Sequence, residues 1–298
     1  MLLSHRLRRF SKLSIAGMIA FCCLCALYVH LLCQALDTAA QKGDSPWPTH
    51  KPKIPRKIWY KVGPGGETTQ PREWMNDCQR KNPSYAYDII TDQFGERYVR
   101  KNFASRPDIF ETYRALPLLT HKADLLRYFI LFAEGGIWYD SNVSCEDTPI
   151  SDWVPKGFKD MVGLVVGLEF DARYDDTVDR RFATWIITAA PDSPHILRVI
   201  EDIVDTVREA TEGGGVSKDT IHDVVNFTGA GAFTRGIFKS LGLSLKGTFA
   251  RDSMYNVRPV LIADVMIMPR YSFVASVNTY KNPDVVGPPL VRHHDVSS

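Results

Sequence analysis

Charge of one sign is what this chain of 298 residues lacks most plainly: 36 Lys and Arg against 34 Asp and Glu leave a formal net charge of +2. So weak a field excludes nucleic acid as the expected partner, because phosphate backbones are held by clustered excess cations. Internal repeats and low-complexity tracts are also missing, which excludes solenoid and biased-composition classes. Cysteine is scarce, at six. Four of these, Cys22, Cys23, Cys25 and Cys33, fall in one N-terminal stretch, where they read as small apolar residues or acylation candidates. Only Cys78 and Cys145 remain beyond it, and the sequence leaves open whether they pair or stay free and buried.

Long apolar runs are confined to one place. Residues Leu13 to Leu36 carry no charge and follow His5, Arg6, Arg8, Arg9 and Lys12. That is roughly the length needed to cross a hydrocarbon core as a helix. No small-residue cleavage site ends the run, so the expectation is an uncleaved signal-anchor: a cytosolic tail at 1–12, a transmembrane span at 13–36, and the bulk of the chain across the membrane. Residues 37–53 turn polar around Gly43, Pro46, Pro48 and Pro52, as a stem does. A lumenal domain at 54–298 follows. There, Asn142-Val143-Ser144 and Asn226-Phe227-Thr228 fit the N-glycosylation triplet.

Within that domain strand-like and helix-like patterns take turns. Lys57–Tyr60 reads as a strand, Glu73–Asn82 as a helix, Tyr85–Thr91 as a strand and Leu118–Ala133 as a long helix behind Pro117. Ile137–Tyr139 reads as a buried strand after Gly135-Gly136, Asp160–Phe170 as another, Pro194–Thr206 as a helix and Leu261–Met268 as a late strand stopped by Pro269. Such alternation predicts an α/β fold with a mainly parallel sheet, in which ligands bind beyond the carboxyl ends of the strands.

The turn after Tyr139 is therefore the place to look. On the preceding helix, at about 100° per residue, Leu126, Phe129, Ile130 and Ala133 gather on one side while Asp124, Arg127 and Tyr128 share the other. The polar face is either a surface ion pair between Asp124 and Arg127 or half of a site. At the strand end, Asp140 and Asn142 flank one residue, so two oxygen donors can face one hard cation such as Mn²⁺ or Mg²⁺. A cation there would neutralise the diphosphate of a leaving nucleotide. Glu169 and Asp171, after the apolar run Met161–Leu168, form a second strand-end pair that is either acceptor-facing or simply solvated. Trp153 and Trp185 are expected in the core.

The run Lys122-Ala123-Asp124-Leu125-Leu126-Arg127-Tyr128, followed by Gly135-Gly136-Ile137-Trp138-Tyr139-Asp140-Ser141-Asn142-Val143-Ser144-Cys145-Glu146, resembles the signature of glycosyltransferase family 32, the sugar-binding Asp-x-Asp proteins that include fungal initiation-specific α-1,6-mannosyltransferases. Ile54–Trp59, Asn82–Tyr87, Thr228–Thr234 and Val291–His294 are similar too, so the resemblance runs through most of the chain beyond Ile54. It implies a glycosyltransferase A-type fold, a mostly parallel Rossmann-like nucleotide-diphospho-sugar transferase sheet, and a retaining, metal-dependent mannosyltransferase of the Golgi or endoplasmic reticulum membrane. The implied donor is GDP-mannose, and the acceptor a glycan or small molecule. By position it implies donor binding by Trp59, Asp124, Arg127, Tyr128, Gly135 and Gly136, catalytic roles for Asp124, Arg127 and Asp140, and metal binding by Asp140, Asn142 and His294, with His293 as the other late candidate. The family usually has a second aspartate where this chain has Asn142, which predicts weaker metal binding. Two alternatives stand beside this reading: transfer to a lipid or secondary metabolite, and a catalytically degenerate lumenal sugar-binding protein.

Overall fold

A computed structural model describes residues 53–63, 69–169, 181–212, 223–242, 258–269, 271–275 and 289–294. The expected tail, anchor and nearly all of the stem lie outside the described residues, as does Asp171. Among the described residues, no helix is long and apolar enough to cross a membrane.

The chain begins with β1 (Lys57–Lys61), α1 (Thr69–Lys81) and β2 (Ala86–Ile90), followed by α2 (Asp92–Asn102), α3 (Pro107–Ala115) and α4 (Leu119–Glu134). Next come β3 (Gly136–Asp140), β4 (Val143–Cys145), β5 (Leu164–Val166) and β6 (Ile186–Ala189), then α5 (Pro194–Glu212), α6 (Val224–Phe227) and α7 (Ala230–Ser240). Strands β7 (Val260–Ile262), β8 (Val265–Ile267), β9 (Phe273–Ala275) and β10 (Val291–His293) complete the described strands, and two short 3₁₀ turns, Ile150–Asp152 and Lys156–Phe158, lie between β4 and β5.

Seven strands form one sheet in the order β2-β1-β3-β6-β5-β8-β7, and β4-β10-β9 form a small second sheet. Five of the seven run the same way: β2, β1 and β3 are mutually parallel, β6 reverses, β5 reverses back, and β8 follows β5. The exceptions are β6 and the edge strand β7. The mainly parallel expectation holds for strand direction, with one reversed strand in the middle that sequence reading missed.

Successive strand residues point to opposite faces, and the core divides accordingly. Trp59, Trp138 and Ile187 face a cluster built with α2 to α5 and α7. Ile58, Tyr60, Ile137, Tyr139 and Ile186 face a second cluster that includes Met75 and Cys78 of α1 and Val143, Phe273 and Val291 of the small sheet. Helices therefore cover one face, and α1 with the small sheet covers the other. Trp153 and Trp185 are buried, as expected.

Two expectations shift. The late strand Leu261–Met268 is instead the antiparallel hairpin β7–β8, reversed where Ala263 adopts φ 53°. The strand expected over Asp160–Phe170 shortens to Leu164–Val166. The open question about cysteine is also answered: Cys78 on α1 and Cys145 on β4 form a disulfide across a sequence separation of 67.

Candidate active site at the carboxyl edge of the sheet

Two lengths bring the site together. Helix α4 ends at Gly135, whose φ of 66° and whose contact with Pro191 (2.6 Å from an added Cβ to the Pro191 nitrogen) leave no room for a side chain. Gly136 (φ 101°) likewise lets the backbone pass close to Lys57 O. The chain therefore reverses sharply into β3. Arg127 lies eight residues before Gly135, about 12 Å along the helix at its rise per residue. Asp140 lies four residues beyond Gly136, about 13 Å along the strand. The two side chains arrive at the same level. Asp140 shares its strand face with Trp138, the face covered by the helices, so it points toward α4.

There the side chains form a chain of charge. Arg127 Nη1 donates to Asp124 Oδ1 at 3.0 Å, and Nη2 donates to Asp140 Oδ1 at 3.5 Å. Trp138 Nε1 donates to the same Asp140 oxygen at 2.8 Å, and the guanidinium lies 5.5 Å from the Trp138 ring centroid. Asp124 and Arg127 are only 6% and 5% exposed, so this is not the exposed ion pair that the helix pattern also allowed. Burial raises the Asp124 carboxyl above its ordinary value, offset in part by Arg127 and by a hydrogen bond from Thr228. Burial acts to lower the Arg127 pKa, but the carboxylates of Asp140 and Asp124 outweigh it and hold the guanidinium above its ordinary value. One guanidinium N–H, at Nε, is buried with no hydrogen-bond partner among the described residues. Such a group costs free energy until a ligand oxygen meets it.

The polar face of α4 continues where sequence reading did not look. Thr228, fully buried between α6 and α7, donates from Oγ1 to Asp124 Oδ2 at 2.8 Å and lies 2.9 Å from His121 Nδ1. Tyr128 donates its hydroxyl to the Thr228 carbonyl at 3.0 Å, and burial raises its pKa so that the proton stays in place. His121, Asp124 and Tyr128 recur at spacings of three and four, one face of a helix. The signal for His121 was present in that spacing. Thr228 could only be found through the fold. Lys61, the register neighbour of Asp140 on β1, is another cation at this edge that the sequence did not single out.

Beyond Asp140 the site becomes more open. Asn142 is held by its amide nitrogen, which donates to His294 O at 2.9 Å and lies 3.0 Å from His293 Nε2. A carbonyl oxygen only accepts, so the orientation of the amide is fixed and Oδ1 points the other way. His294 N in turn donates to Asn142 O at 2.9 Å. The two histidines face opposite ways off β10. His293 stacks on Trp185 with centroids 4.3 Å apart, and His294 stacks on Trp74 of α1 at 4.1 Å. His294 Nε2 sits 2.9 Å from Ser144 Oγ.

The expected residues are thus partly brought together and partly dispersed. Asp124, Arg127, Tyr128 and Asp140 form one network. Asn142 stands beside His293 and His294, with the His294 ring engaged by Trp74 and Ser144. Among the described residues no group of three or more His, Cys, Asp or Glu is gathered as a metal cage. Asp140 Oδ2 and Asn142 Oδ1 carry no protein hydrogen bond among the described residues, and two oxygens of this kind fit a hard cation whose remaining ligands come from a phosphate-bearing substrate. Trp59, expected beside a nucleotide base, instead donates from Nε1 to Gly135 O at 2.8 Å and is 7% exposed. It braces the amino end of β3, as Gly135 and Gly136 do, a strand length from Asp140. Glu169 is paired with Arg181 at 2.9 Å, and burial raises its carboxyl while Arg181 opposes the shift. The Asn226 triplet is exposed at its asparagine, which bonds Asp223, but its Thr228 hydroxyl is committed to Asp124.

With this geometry in hand, comparison with known proteins gives a consistent picture. Residues 69–157, which hold Asp124, Arg127, Asp140 and Asn142 but not Thr228 or β10, match the family described as a glycosyltransferase sugar-binding region containing a DXD motif. The Saccharomyces cerevisiae protein HOC1, named as a glycosyltransferase, is 30% identical over 244 residues, which is 76% of this chain and 60% of its own length. The initiation-specific alpha-1,6-mannosyltransferase of Candida albicans is 28% identical over 280 residues, 84% of this chain and 72% of its own. The chain therefore spans about three-fifths of the first of these relatives. Among solved structures it is similar to the PaToxG glycosyltransferase, with a TM-score of 0.48 and 16% identity over 76% of this chain and 82% of that one. At that score the likeness carries no inference.

Proposed function

We propose, from the premise that the chain belongs to the DXD-motif glycosyltransferase family whose sugar-binding region it carries, that it is a glycosyltransferase moving mannose from GDP-mannose to a glycan acceptor. The observation that carries this reading is the Asp124–Arg127–Asp140 chain at the carboxyl edge, with the buried Arg127 Nε awaiting an acceptor. A mixed, mostly parallel sheet with its polar cluster at that edge suits the glycosyltransferase A type. The uncharged run 13–36 behind a basic flank supports a type II anchor that places the domain in the lumen of the Golgi or endoplasmic reticulum.

In this reading Arg127 binds a donor phosphate oxygen through Nε, while Asp124, held by Arg127 and Thr228, accepts from a sugar hydroxyl. Two carboxylates against one guanidinium leave the cluster short of positive charge before an anionic donor arrives. Asp140 and Asn142 are the residues that would hold a divalent cation, Mn²⁺ or Mg²⁺. Bound there, it would neutralise charge developing on the diphosphate leaving group. Trp138, buried beneath the site, donates to the Asp140 carboxylate and so fixes one of its two oxygens, leaving the other to face the ligand.

The test is mannose transfer by the full-length chain from GDP-mannose to a mannosyl acceptor, with UDP-glucose as the competing donor, in the presence and absence of Mn²⁺. Asp140→Ala should abolish metal-dependent turnover, a loss of at least a hundredfold. Wild-type-like activity in that variant would sink the site. No turnover with either donor, together with a melting temperature that still rises on adding nucleotide sugar, would replace the enzyme with a sugar-binding protein.

A further inference from the structure

We infer that Thr228 and His121 are positioning residues that fix the orientation of the Asp124 carboxylate toward the donor sugar; the inference rests on the proposed glycosyltransferase reading and deepens it. Three residues on one face of α4 grip a single residue of the α6–α7 corner. His121 and Asp124 meet its hydroxyl, and Tyr128 meets its carbonyl. The corner is 104 residues away in sequence from Asp124, so nothing local in α4 creates this arrangement.

Proton counting gives the chain its direction. An ionised carboxylate beside Arg127 only accepts, so the one Thr228 hydroxyl proton goes to Asp124 Oδ2. The hydroxyl oxygen is then the acceptor for His121, which must donate from Nδ1–H. His121 is itself fully buried, with Phe227 edge-on at 5.5 Å, so the imidazole keeps one orientation. Each carboxylate oxygen therefore has a fixed protein donor: Arg127 on Oδ1 and Thr228 on Oδ2. A carboxylate held on both oxygens cannot rotate, and only its remaining lone pairs face a ligand. Removing the Thr228 hydroxyl frees one of the two and lets the carboxylate turn away from the sugar.

Position 231 reinforces this docking. A Cβ on Gly231 would fall 3.0 Å from the Val225 backbone oxygen, so α6 and α7 meet closely within the corner that carries Thr228. The geometry thus couples α7 to the donor site through one hydroxyl group.

The experiment compares Thr228→Val, nearly isosteric but without the hydroxyl, with Thr228→Ser, which keeps it. His121→Asn retains an N–H close to the position of Nδ1, and His121→Leu removes it. Steady-state transfer by the full-length proteins gives kcat and KM for the donor, at a temperature where melting curves show every variant folded. Thr228→Val and His121→Leu should each lose on the order of tenfold to a hundredfold in kcat/KM, as expected for a hydrogen bond to a charged group. Thr228→Ser and His121→Asn should stay within about threefold of wild type, and the Val–Leu double variant should be no worse than Thr228→Val, because both act through one chain. A Thr228→Val enzyme that melts lower yet keeps wild-type kcat and KM would reduce the network to a structural role and overturn the inference while leaving the function standing. A wild type that transfers no sugar from any donor would instead remove the function, and this inference with it.

Discussion

The two halves of the site are built on different physical terms. On the helix side, His121, Asp124, Arg127 and Thr228 are all 6% exposed or less and bonded to one another. On the strand-end side, Asp140, Asn142, Ser144, His293 and His294 are each half-buried, and the last four are held by two ring stacks, one side-chain-to-backbone bond, one backbone bond between Asn142 and His294, and a nearby disulfide. A buried charge pair that loses one member leaves the other uncompensated, typically at a cost of about 3–5 kcal/mol. A half-exposed polar group is rescued by water. Losing a member is therefore costly in the first half, whereas in the second water can replace a lost partner. The largest predicted effect follows directly: Arg127→Leu should lose about 3–5 kcal/mol of unfolding free energy by urea denaturation. Asp140→Asn, which keeps the acceptor for Trp138, should lose about 1 kcal/mol or less. Equal losses would erase the contrast.

The disulfide sharpens the same comparison at somewhat smaller scale. Cys78 and Cys145 join α1 to β4, and α1 also carries the Trp74 on which His294 stacks. Converting both cysteines to Ala removes a crosslink of the kind worth about 2–4 kcal/mol. The loss should concentrate at the strand end. Hydrogen exchange is expected to quicken in α1 and β4 while α4 and α7 keep their protection, since the two groups belong to opposite faces of the sheet. Loss of protection in α4 to the same degree would show that the halves unfold as one.

The same contrast explains what could be read from the sequence. Asp124 and Arg127 were legible because a helical period separates a polar face from an apolar one, and Asp140 because Gly135-Gly136 marks the turn that feeds β3. His121 obeyed the same period but lay outside the stretch that drew attention. Thr228 was illegible as a site residue: its role depends on a contact across 104 residues, and locally it reads as part of a glycosylation triplet. Trp59 is placed at the base by the family resemblance alone; the close approach of β1 to the Gly135 turn, which gives its indole N–H a backbone partner, leaves no local signal. The reversed strand β6 was missed because Ile186–Ala189 is a short, fully buried run with no alternation to identify it. The hairpin at Ala263 escaped for a related reason, since no glycine or proline stands at the turn.

Asn142 offers the smallest and most discriminating test. In the family pattern an aspartate stands there, and the substitution reads from sequence alone as a lost metal charge. The structure adds a second consequence, because the amide nitrogen donates to His294 O and lies against His293 Nε2, joining the strand end to β10. A carboxylate can only accept, so Asn142→Asp replaces a donor with an anion facing the His294 carbonyl at 2.9 Å. Without metal the variant should therefore lose about 1–2 kcal/mol, seen as a lower melting temperature. The same carboxylate adds charge where a hard cation would sit, so Mn²⁺ should raise the melting temperature of Asn142→Asp more than that of the wild type. Those two signs separate the clamp from the ligand. An unchanged metal-free melting temperature would remove the clamp, and an equal Mn²⁺ response in both proteins would remove position 142 from the metal site. If both signs appear, the asparagine holds the strand end to His293 and His294 at the cost of a weaker hold on the cation.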